Sequence, residues 1–387
     1  MSGSFEFATP TRLVVGAGRV AEAGGLAREL GMQRVLLVTD PGLAATPHLA
    51  RLQASLRAAG CELACFAETH ANPTTRDVAA CLALAQSFAP DGFVALGGGS
   101  SIDTAKATNL LLTNGGELAT YRGRSRVAVP LLPQLVIPTT AGTGSEVQAF
   151  CLIADEASHM KMACGTASAI PAVAILDAEL TLTLPRSITA SAGIDAISHA
   201  VECAVTTART PLSELAARDA FARLHVALPQ VLAAPQDLAA RAEMLLGATL
   251  AGIAIENSML GAAHAMANPL TAHFGLVHGL AVAACLPAVV ACNRAAPEAA
   301  AGYAALARAG GLASAAQSVE QAVDALQARL LVLTDAVGAR AALRDAGCDP
   351  GLIPVLAAEA ACQWTGTHNP LPLTADGFAT LYAQVLA

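Results

Sequence analysis

The pattern of apolar residues changes at Leu184-Pro185-Arg186, and this change constrains the fold more than any other feature of the sequence. Before it, short β-type runs alternate with alanine-rich helical stretches. The β-type runs are residues 34–39, 62–66, 92–96, 134–138 and 173–177. Such alternation indicates βαβ units and a largely parallel sheet. After it the apolar spacing is helical, and no convincing strand alternation returns. We predict an α/β domain over residues 1–184 and an α-helical domain over residues 185–387.

Composition supports a two-domain protein without a membrane-spanning segment. A chain of 387 residues is too long for one ordinary core. The longest apolar run, from Leu280 to Cys292, is shorter than a membrane span and contains Pro287. The N-terminal residues lack the basic and apolar regions of a signal peptide. We therefore expect a soluble, cytoplasmic protein.

Cysteine usage and charge narrow the environment and the partners. The ten cysteines are scattered without a CxxC pair, which indicates reduced and mostly buried thiols. The net charge of −8 and the few aromatic residues argue against a nucleic acid or an anionic membrane surface as partner.

Three consecutive glycines, Gly97, Gly98 and Gly99, follow the apolar run at 92–96 and precede a helical pattern. They therefore occupy a strand-to-helix turn. Backbone N–H groups at the start of a helix can hold an anion, most often a phosphate, and glycine lets a ligand approach the backbone closely. The alternative is a tight turn that binds nothing.

The helical half contains candidate metal ligands. Asp195 and His199 are four residues apart, so they project from one helix face. His264 and His278 are separated by fourteen residues, which one straight helix would place about 21 Å apart.

A turn would bring these two histidines together. Asn268-Pro269 disfavours continued helix, and Gly275 offers a second bend. One carboxylate and three imidazoles suit Fe²⁺ or Zn²⁺. The alternative for each histidine is a surface position or a hydrogen-bonded core position.

Four segments in order resemble the iron-containing (group III) alcohol dehydrogenases: GGGSSIDTAK at 97–106, PTTAGTGSEV at 138–147, GIDAISHAVE at 193–202, and the segment with His264 and His278. The resemblance implies a Rossmann-like domain for NAD(P)H, a helical domain carrying a divalent metal, and a small alcohol or aldehyde as substrate. Fe²⁺ is the expected metal, with Zn²⁺ or Mn²⁺ as alternatives. Relatives often form dimers or larger assemblies, so a homo-oligomer, most simply a dimer, is expected.

The resemblance also assigns residues by position. The metal ligands it implies are Asp195, His199, His264 and His278. The cofactor positions it implies are Gly97, Gly98, Gly99, Ser100, Asp103, Thr139, Thr140, Ser145, Asn72 and Lys161. Asp40 follows a strand where the adenosine ribose of relatives lies, and a carboxylate there favours NAD(H) over NADP(H). The alternative is that Asp40 only starts the turn Asp-Pro-Gly.

Two departures from the family pattern stand out. Most relatives carry a second histidine, thought to serve proton transfer, where this chain has Asn268, and an asparagine does not titrate near neutral pH. His273 is the nearby candidate for a proton relay. Near the C-terminus, Leu371 replaces an arginine. By position, the residues that could border the substrate are Trp364, Thr365, His368 and Ile255.

Three functions are compatible with this sequence. The first is an NAD-linked, metal-dependent alcohol dehydrogenase or aldehyde reductase. The second is a lyase of the dehydroquinate synthase type, which needs a cluster of lysine, arginine and glutamate that the helical half lacks. The third is a catalytically silent relative that acts as a binding protein.

Overall fold

A computed structural model describes residues 4–157 and 161–386. The chain forms two compact units, one from Thr9 to Leu184 and one that combines the residues before Thr9 with those from Pro185 onward. The first residues group with the helical unit because Ala8 and Asn257 exchange two hydrogen bonds, of 2.7 and 3.0 Å. The predicted domains, residues 1–184 and 185–387, stay a prediction beside these two structural units.

Nine strands lie within the described residues, all of them in the first unit. They are β1 (Arg12–Val15), β2 (Arg34–Val38), β3 (Glu62–Phe66), β4 (Gly92–Gly97), β5 (Gly123–Arg124), β6 (Gln134–Pro138), β7 (Phe150–Ala154), β8 (Lys161–Gly165) and β9 (Val173–Leu176). Six form a parallel sheet in the order β1-β9-β6-β4-β2-β3. The predicted parallel sheet is confirmed.

The second, smaller sheet was not predicted. Its order is β5-β8-β7, with β7 and β8 forming an antiparallel pair. The five predicted strands all belong to the main sheet, and four of them, β2, β4, β6 and β9, are mostly apolar and almost wholly buried. The sequences of β7 and β8 show little alternation between apolar and polar residues, and β5 has only two residues, so the sequence carries no clear signal for them.

Fifteen α-helices lie within the described residues. They are α1 (Ala23–Glu29), α2 (Pro41–Ala44), α3 (Pro47–Ala58), α4 (Thr75–Phe88), α5 (Gly99–Asn114), α6 (Arg186–Cys203), α7 (Pro211–Ala233), α8 (Leu238–Glu256), α9 (Ala262–Phe274), α10 (His278–Asn293), α11 (Pro297–Ala309), α12 (Val319–Ala336), α13 (Ala339–Asp345), α14 (Ile353–Ala361) and α15 (Ala375–Val385). The second unit is helical throughout its described part, which confirms the predicted α/β-then-α order.

Helix α5 is the most deeply buried helix of the first unit, with every residue from Ser101 to Leu110 buried. Its apolar residues pack with the small sheet, through contacts that include Cys151 and Ile153. A separate apolar cluster packs α1 and α3 with the main sheet. Because α5 is enclosed, the glycine turn at its start has a fixed position.

Within the described residues, one helix, α8, is long and apolar enough to cross a membrane. However, 61% of its apolar 18-residue stretch is buried inside the fold, as expected for a core helix. It packs mainly against α6 and α7.

All ten cysteines are free thiols. Six are buried, three are half-buried, and Cys362 is exposed. Burial raises the pKa of the Cys81 and Cys203 thiols to about 12, so these groups stay protonated and behave as small apolar side chains.

The predicted helix break at Asn268-Pro269 is wrong. Helix α9 continues through Pro269 and ends only at Phe274, before Gly275 in the left-handed conformation (φ 65°). A proline inside a helix removes one backbone hydrogen bond, at a cost of about 3 kcal/mol. Burial of Pro269 and Leu270 with the rest of α9 offsets this cost. The turn that separates His264 from His278 therefore comes from Gly275 alone.

Lys106 fixes the loop between β6 and β7. Its side chain is fully buried, and Nζ donates to the carbonyl oxygens of Ser145, Gln148 and Phe150 at 2.6, 2.6 and 3.1 Å. A buried ammonium group is tolerated only when its donors are satisfied. Lys106 therefore holds the 145–150 segment against α5.

We predict that Lys106→Met lowers the free energy of unfolding by about 3 kcal/mol, because it leaves three carbonyl groups without their charged donor. Urea unfolding followed by circular dichroism measures the change. The control is Arg57→Ala, which removes an exposed cation of the same unit. A loss below about 1 kcal/mol would contradict this role of Lys106.

Candidate metal centre and cofactor turn

One carboxylate and three imidazoles meet in the helical unit. Asp195 and His199 lie one turn apart on α6, and His264 is the third residue of α9. One potential ligand atom from each of these three buried residues lies within 4.8 Å of the others. His278 begins α10, and the centroid of its ring is 5.5 Å from that of His264. The structure thus brings together all four residues that the sequence singles out.

The donor atoms have the spacing that a tetrahedral cation requires. Asp195 Oδ1 lies 3.6 Å from His199 Nε2 and 3.5 Å from His264 Nε2. Two ligands about 2.1 Å from one ion at tetrahedral angles are about 3.4 Å apart. Asp195 Oδ1 and His264 Nε2 are buried and have no hydrogen-bond partner within the described part of the chain. The residues present therefore fit a divalent cation.

The charges around these groups favour the ionised carboxylate. Burial raises the pKa of Asp195, but the imidazoles of His199, His264 and His278 more than compensate, and the pKa falls well below its usual range. Burial lowers the pKa of His264, yet Glu202 and Asp195 raise it to about 9. A cation at Nε2 therefore replaces a proton, as expected when a metal binds an imidazole.

Glu202 is the functional residue that the sequence analysis missed. Its Oε2 accepts a hydrogen bond from His264 Nδ1 at 2.5 Å and one from the Gly261 N–H at 3.0 Å. Its Oε1 accepts from the Ala263 N–H at 2.7 Å. A carboxylate on Nδ1 fixes the tautomer that leaves Nε2 available to a metal. The signal was present, because Glu202 is seven residues after Asp195 on the same face of α6.

Asn369 completes the support of α9. It accepts a hydrogen bond from the Ala262 N–H at 3.3 Å and exchanges hydrogen bonds with Asn293 at 2.9 and 2.7 Å. A side chain on Gly261 would meet Glu202 Oε1 at 3.0 Å and Asn369 Oδ1 at 3.1 Å. The N-terminus of α9 is thus satisfied by Glu202 and Asn369, which places His264.

Gly279 sets the approach of α10 to α6. A Cβ atom on Gly279 would lie 2.0 Å from the Ser191 carbonyl oxygen and 3.1 Å from Asp195 Cβ. Only glycine permits this separation, which places His278 beside Asp195. This role of Gly279 could not be predicted from the sequence, because the packing of two helices is not visible in a dipeptide.

We predict that Glu202→Gln weakens metal affinity about 10- to 100-fold. Both carboxylate oxygens accept from N–H groups, so the amide NH₂ of glutamine must face at least one donor. Metal affinity is measured by competition with a chelator and elemental analysis. Glu243→Gln, an exposed change on α8, is the matched control. Equal affinities for Glu202→Gln and the unsubstituted protein would rule out this role.

Gly279→Ala tests the helix contact separately. We expect it to weaken metal affinity at least about tenfold, because α10 must move away from α6 and take His278 with it. Gly25→Ala is the control, since a Cβ there meets no atom within 4 Å. Metal affinity is measured as for Glu202→Gln. Unchanged affinity in Gly279→Ala would show that the close approach is not needed.

The glycine turn lies at the carboxyl edge of the main sheet. Gly97 ends β4 with φ 154°, Gly98 precedes α5, and no side chain caps the first turn of that helix. Cβ atoms on Gly98 and Gly99 would fall 2.9 Å and 2.8 Å from the side chains of Thr140 and Thr143. The glycines therefore let the Thr140 and Thr143 side chains lie directly against the turn. That the N–H groups of the first turn of α5 hold a pyrophosphate stays a prediction.

Asp40 lies at the same edge of the sheet. Its Oδ1 accepts a hydrogen bond from the Leu43 N–H at 3.0 Å, so the carboxylate caps α2. Its Oδ2 lies 3.5 Å from the position of a Cβ on Gly97. One carboxylate oxygen of Asp40 therefore caps the start of α2, as the turn alternative predicts, and the other oxygen lies beside the glycine turn.

The other predicted cofactor residues divide into two groups. Thr139 donates its N–H to the Gly97 carbonyl, and half-buried Ser100 lies in the first turn of α5. Asp103 is buried and accepts from Ser145 Oγ and from the Leu152 N–H, both at 2.9 Å. Burial raises the pKa of Asp103. The pair Asp103 and Ser145 thereby joins α5 to β7, and its contact with a cofactor stays a prediction.

Asn72 and Lys161 belong to neighbouring segments. Asn72 is exposed and has a left-handed backbone conformation (φ 54°). The Ala154 N–H donates to the Pro73 carbonyl at 2.8 Å, and Ala154 pairs with Lys161 in the antiparallel hairpin. Residues other than glycine adopt a left-handed backbone conformation mostly where function or packing demands it. The contact of Asn72 and Lys161 with a cofactor stays a prediction.

Asn268 and His273 have different surroundings on α9. Asn268 lies one turn after His264 and donates to Gln363 Oε1 at 2.9 Å. His273 is exposed at the far end of α9, and its Nε2 lies 2.9 Å from Glu359 Oε2 of α14. Of the residues predicted to border the substrate, Trp364 is 44% exposed, Thr365 and Ile255 are buried, and His368 is half-buried.

Comparison with known proteins identifies the family. Residues 10–178 match the profile described as "Iron-containing alcohol dehydrogenase", and residues 189–386 match "Fe-containing alcohol dehydrogenase family, C-terminal". The chain belongs to the iron-containing alcohol dehydrogenase family.

Individual relatives agree with this assignment. The chain is 38% identical over 288 residues to "Probable alcohol dehydrogenase EutG" of Escherichia coli (strain K12), covering 74% of this chain and 73% of that protein. A crystal structure of 1,3-propanediol oxidoreductase is 30% identical with a TM-score of 0.95, covering 99% of this chain and 100% of the other. Sulfoacetaldehyde reductase from Bifidobacterium kashiwanohense, solved with NAD⁺, is 27% identical with a TM-score of 0.90 and full coverage of both chains.

Proposed function

We propose that this protein is an NAD(H)-linked, divalent-metal-dependent alcohol dehydrogenase or aldehyde reductase that acts on a small alcohol or aldehyde. The cluster of buried Asp195, His199 and His264, with half-buried His278 beside it, carries the proposal, because the donor atoms of the first three residues have the spacing of ligands to one cation. Support also comes from relatives named as alcohol dehydrogenases and from a similar reductase solved with NAD⁺.

The residues of the chain have distinct tasks in this reaction. When bound, the cation supplies Lewis-acid polarisation of the substrate oxygen, and the nicotinamide carries the hydride. Asp195 supplies the one negative charge among the four ligands, so a divalent ion keeps a net positive charge of about one. Glu202 keeps the Nδ1 proton of His264 in place. The N–H groups of the α5 first turn hold the pyrophosphate without a basic side chain.

The proposed cofactor preference rests on Asp40. A carboxylate beside the glycine turn accepts hydrogen bonds from ribose hydroxyls and repels a 2′-phosphate. We expect Asp40→Gly to shift the ratio of kcat/KM for NAD⁺ to that for NADP⁺ toward NADP⁺ by at least about tenfold, or about 1.4 kcal/mol. Asp40→Asn retains an acceptor for the Leu43 N–H and removes only the charge. Unchanged ratios in both variants would show that Asp40 only caps α2.

Proton transfer is the open step, and His273 is the titratable candidate from the sequence. A proton relay would make His273→Asn lower kcat by at least about 100-fold. We expect the opposite result, because the exposed His273 imidazole is hydrogen-bonded to the Glu359 carboxylate. In that case kcat stays within about twofold and the free energy of unfolding falls by less than about 1 kcal/mol. Steady-state kinetics and urea unfolding distinguish the two roles.

The competing lyase needs basic residues to hold a phosphate-bearing, carboxylated substrate. The sequence has no lysine after Lys161, and the ten arginines of the helical half are spread along it, so that half carries no cluster of lysine, arginine and glutamate of the kind such a lyase needs. An assay of small alcohols with NAD⁺ and Fe²⁺, Zn²⁺ or Mn²⁺ separates the candidates. Net NADH absorbance supports the dehydrogenase. A lyase gives product without net NADH, and a silent relative gives neither.

Three further features belong to the proposal. The physiological metal is Fe²⁺, which elemental analysis of protein purified without oxygen can test against Zn²⁺ and Mn²⁺. The protein acts in the cytoplasm, on a small molecule rather than on nucleic acid or a membrane. It forms a homo-oligomer, most simply a dimer, which light scattering can test.

A further inference from the structure

Helix α9 has one polar face, and this face begins at the metal centre. Within residues 262–272 the polar side chains are those of His264, Asn268 and Thr271, and all the others are apolar. Their spacing places the three side chains on the same side of the helix. Thr271 Oγ1 is buried and has no hydrogen-bond partner within residues 4–157 and 161–386. The polar face that starts at His264 can therefore take part in hydrogen bonds with a bound molecule.

The amide of Asn268 is held at its nitrogen. Asn268 Nδ2 donates a hydrogen bond to Gln363 Oε1 at 2.9 Å. Gln363 follows α14, which packs against α9. Gln363 Nε2 donates in turn to the Glu359 carbonyl oxygen at 3.5 Å, and this contact orients the Gln363 amide. The oxygen of Gln363 therefore faces Asn268, so Asn268 presents its NH₂ group to it.

The segment that carries Gln363 is itself fixed beside the metal ligand. The Gly366 N–H donates to the Gln363 carbonyl oxygen at 3.1 Å. A Cβ atom on Gly366 would lie 3.3 Å from Ala265 Cβ, one residue after His264. Main-chain and side-chain contacts thus hold Gln363 in place, and it can act as a rigid partner for Asn268.

The oxygen of the Asn268 amide is available to a ligand. Asn268 is half-buried, and within the described part of the chain Oδ1 has no hydrogen-bond partner and is not enclosed. Because Nδ2 is held by Gln363, Oδ1 occupies the other branch of the amide and offers a hydrogen-bond acceptor. Side chains four residues apart on a helix have Cβ atoms about 5 to 6 Å apart. A small molecule whose oxygen lies at the metal centre is therefore within reach of Asn268 Oδ1.

We propose that Gln363 is a positioning residue, which fixes the Asn268 amide so that Oδ1 accepts a hydrogen bond from a second hydroxyl group of the substrate. This inference rests on the proposed dehydrogenase function and narrows its substrate to alcohols with a hydrogen-bond donor besides the reacting hydroxyl. An alcohol with a methyl group in that place binds less well, because it covers Oδ1 without donating to it.

The test compares ethylene glycol with 1-propanol, which has a methyl group where ethylene glycol has its second hydroxyl. The ratio of their kcat/KM values is measured with NAD⁺ and the metal-loaded, full-length protein. The variants are Asn268→Leu, Gln363→Leu and Gln363→Glu, of which the last retains an acceptor for Asn268 Nδ2. Gln230→Leu, at an exposed glutamine of α7, is the matched control.

A second readout needs neither substrate nor metal. Urea unfolding of the metal-free protein is measured for Asn268→Leu, for Gln363→Leu and for the variant with both changes. The double variant should lose less free energy of unfolding than the sum of the two single losses, because both changes remove the same hydrogen bond.

We expect the ratio of kcat/KM for ethylene glycol to that for 1-propanol to fall at least about fivefold in Asn268→Leu and in Gln363→Leu, as the loss of one hydrogen bond predicts. The ratio should stay within about twofold in Gln363→Glu and in Gln230→Leu. A structural role alone would lower both kcat/KM values and leave their ratio unchanged.

The possible failures are distinguishable. NADH formation with an unchanged ratio in both leucine variants would overturn the inference and leave the proposed function intact. Additive losses in unfolding, or an equal fall of the ratio in Gln363→Glu and Gln363→Leu, would also overturn it. If no alcohol yields NADH, the proposed function fails and the substrate assignment fails with it.

Discussion

The hydrogen bond between Glu202 and His264 Nδ1 is the contact on which the metal centre depends. The same carboxylate accepts the N–H groups of Gly261 and Ala263, so it fixes both the imidazole and the start of its helix. A buried carboxylate is stable here because it lies at the positive end of α9 and all its contacts are donors. The ligands can therefore be held at cation spacing by the protein alone.

Much of this centre could be predicted from sequence, since local spacing carries the information. Asp195 and His199 share a helix face at four residues, and extending the same reasoning by three residues reaches Glu202. The path from His264 to His278 was less accessible. Pro269 is a helix breaker by local preference, and only its burial in the folded unit reverses that preference. Gly279 likewise acquires its meaning from Ser191, on another helix.

The α/β unit shows the same division. Strands β2, β4, β6 and β9 of the main sheet are mostly apolar runs that are almost wholly buried, which a sequence displays directly. The edge strand β1 is short and mostly exposed or half-buried, and the sequence did not predict it. The small sheet depends on contacts across the chain, including the Lys106 ammonium group and the carbonyls of the 145–150 segment. A lysine in a sequence suggests an exposed side chain, so its full burial was not predictable. The fold was thus easier to predict than the supports of its sites.

The support of α9 also bears on when the metal centre can form during synthesis. Asn369 meets the Ala262 N–H across 107 residues of sequence, and it also bonds Asn293. A nascent chain on the ribosome has all four ligands well before it has this amide. The support of α9 is therefore complete only when the segment that contains Asn369 has been synthesised and has folded against the start of that helix.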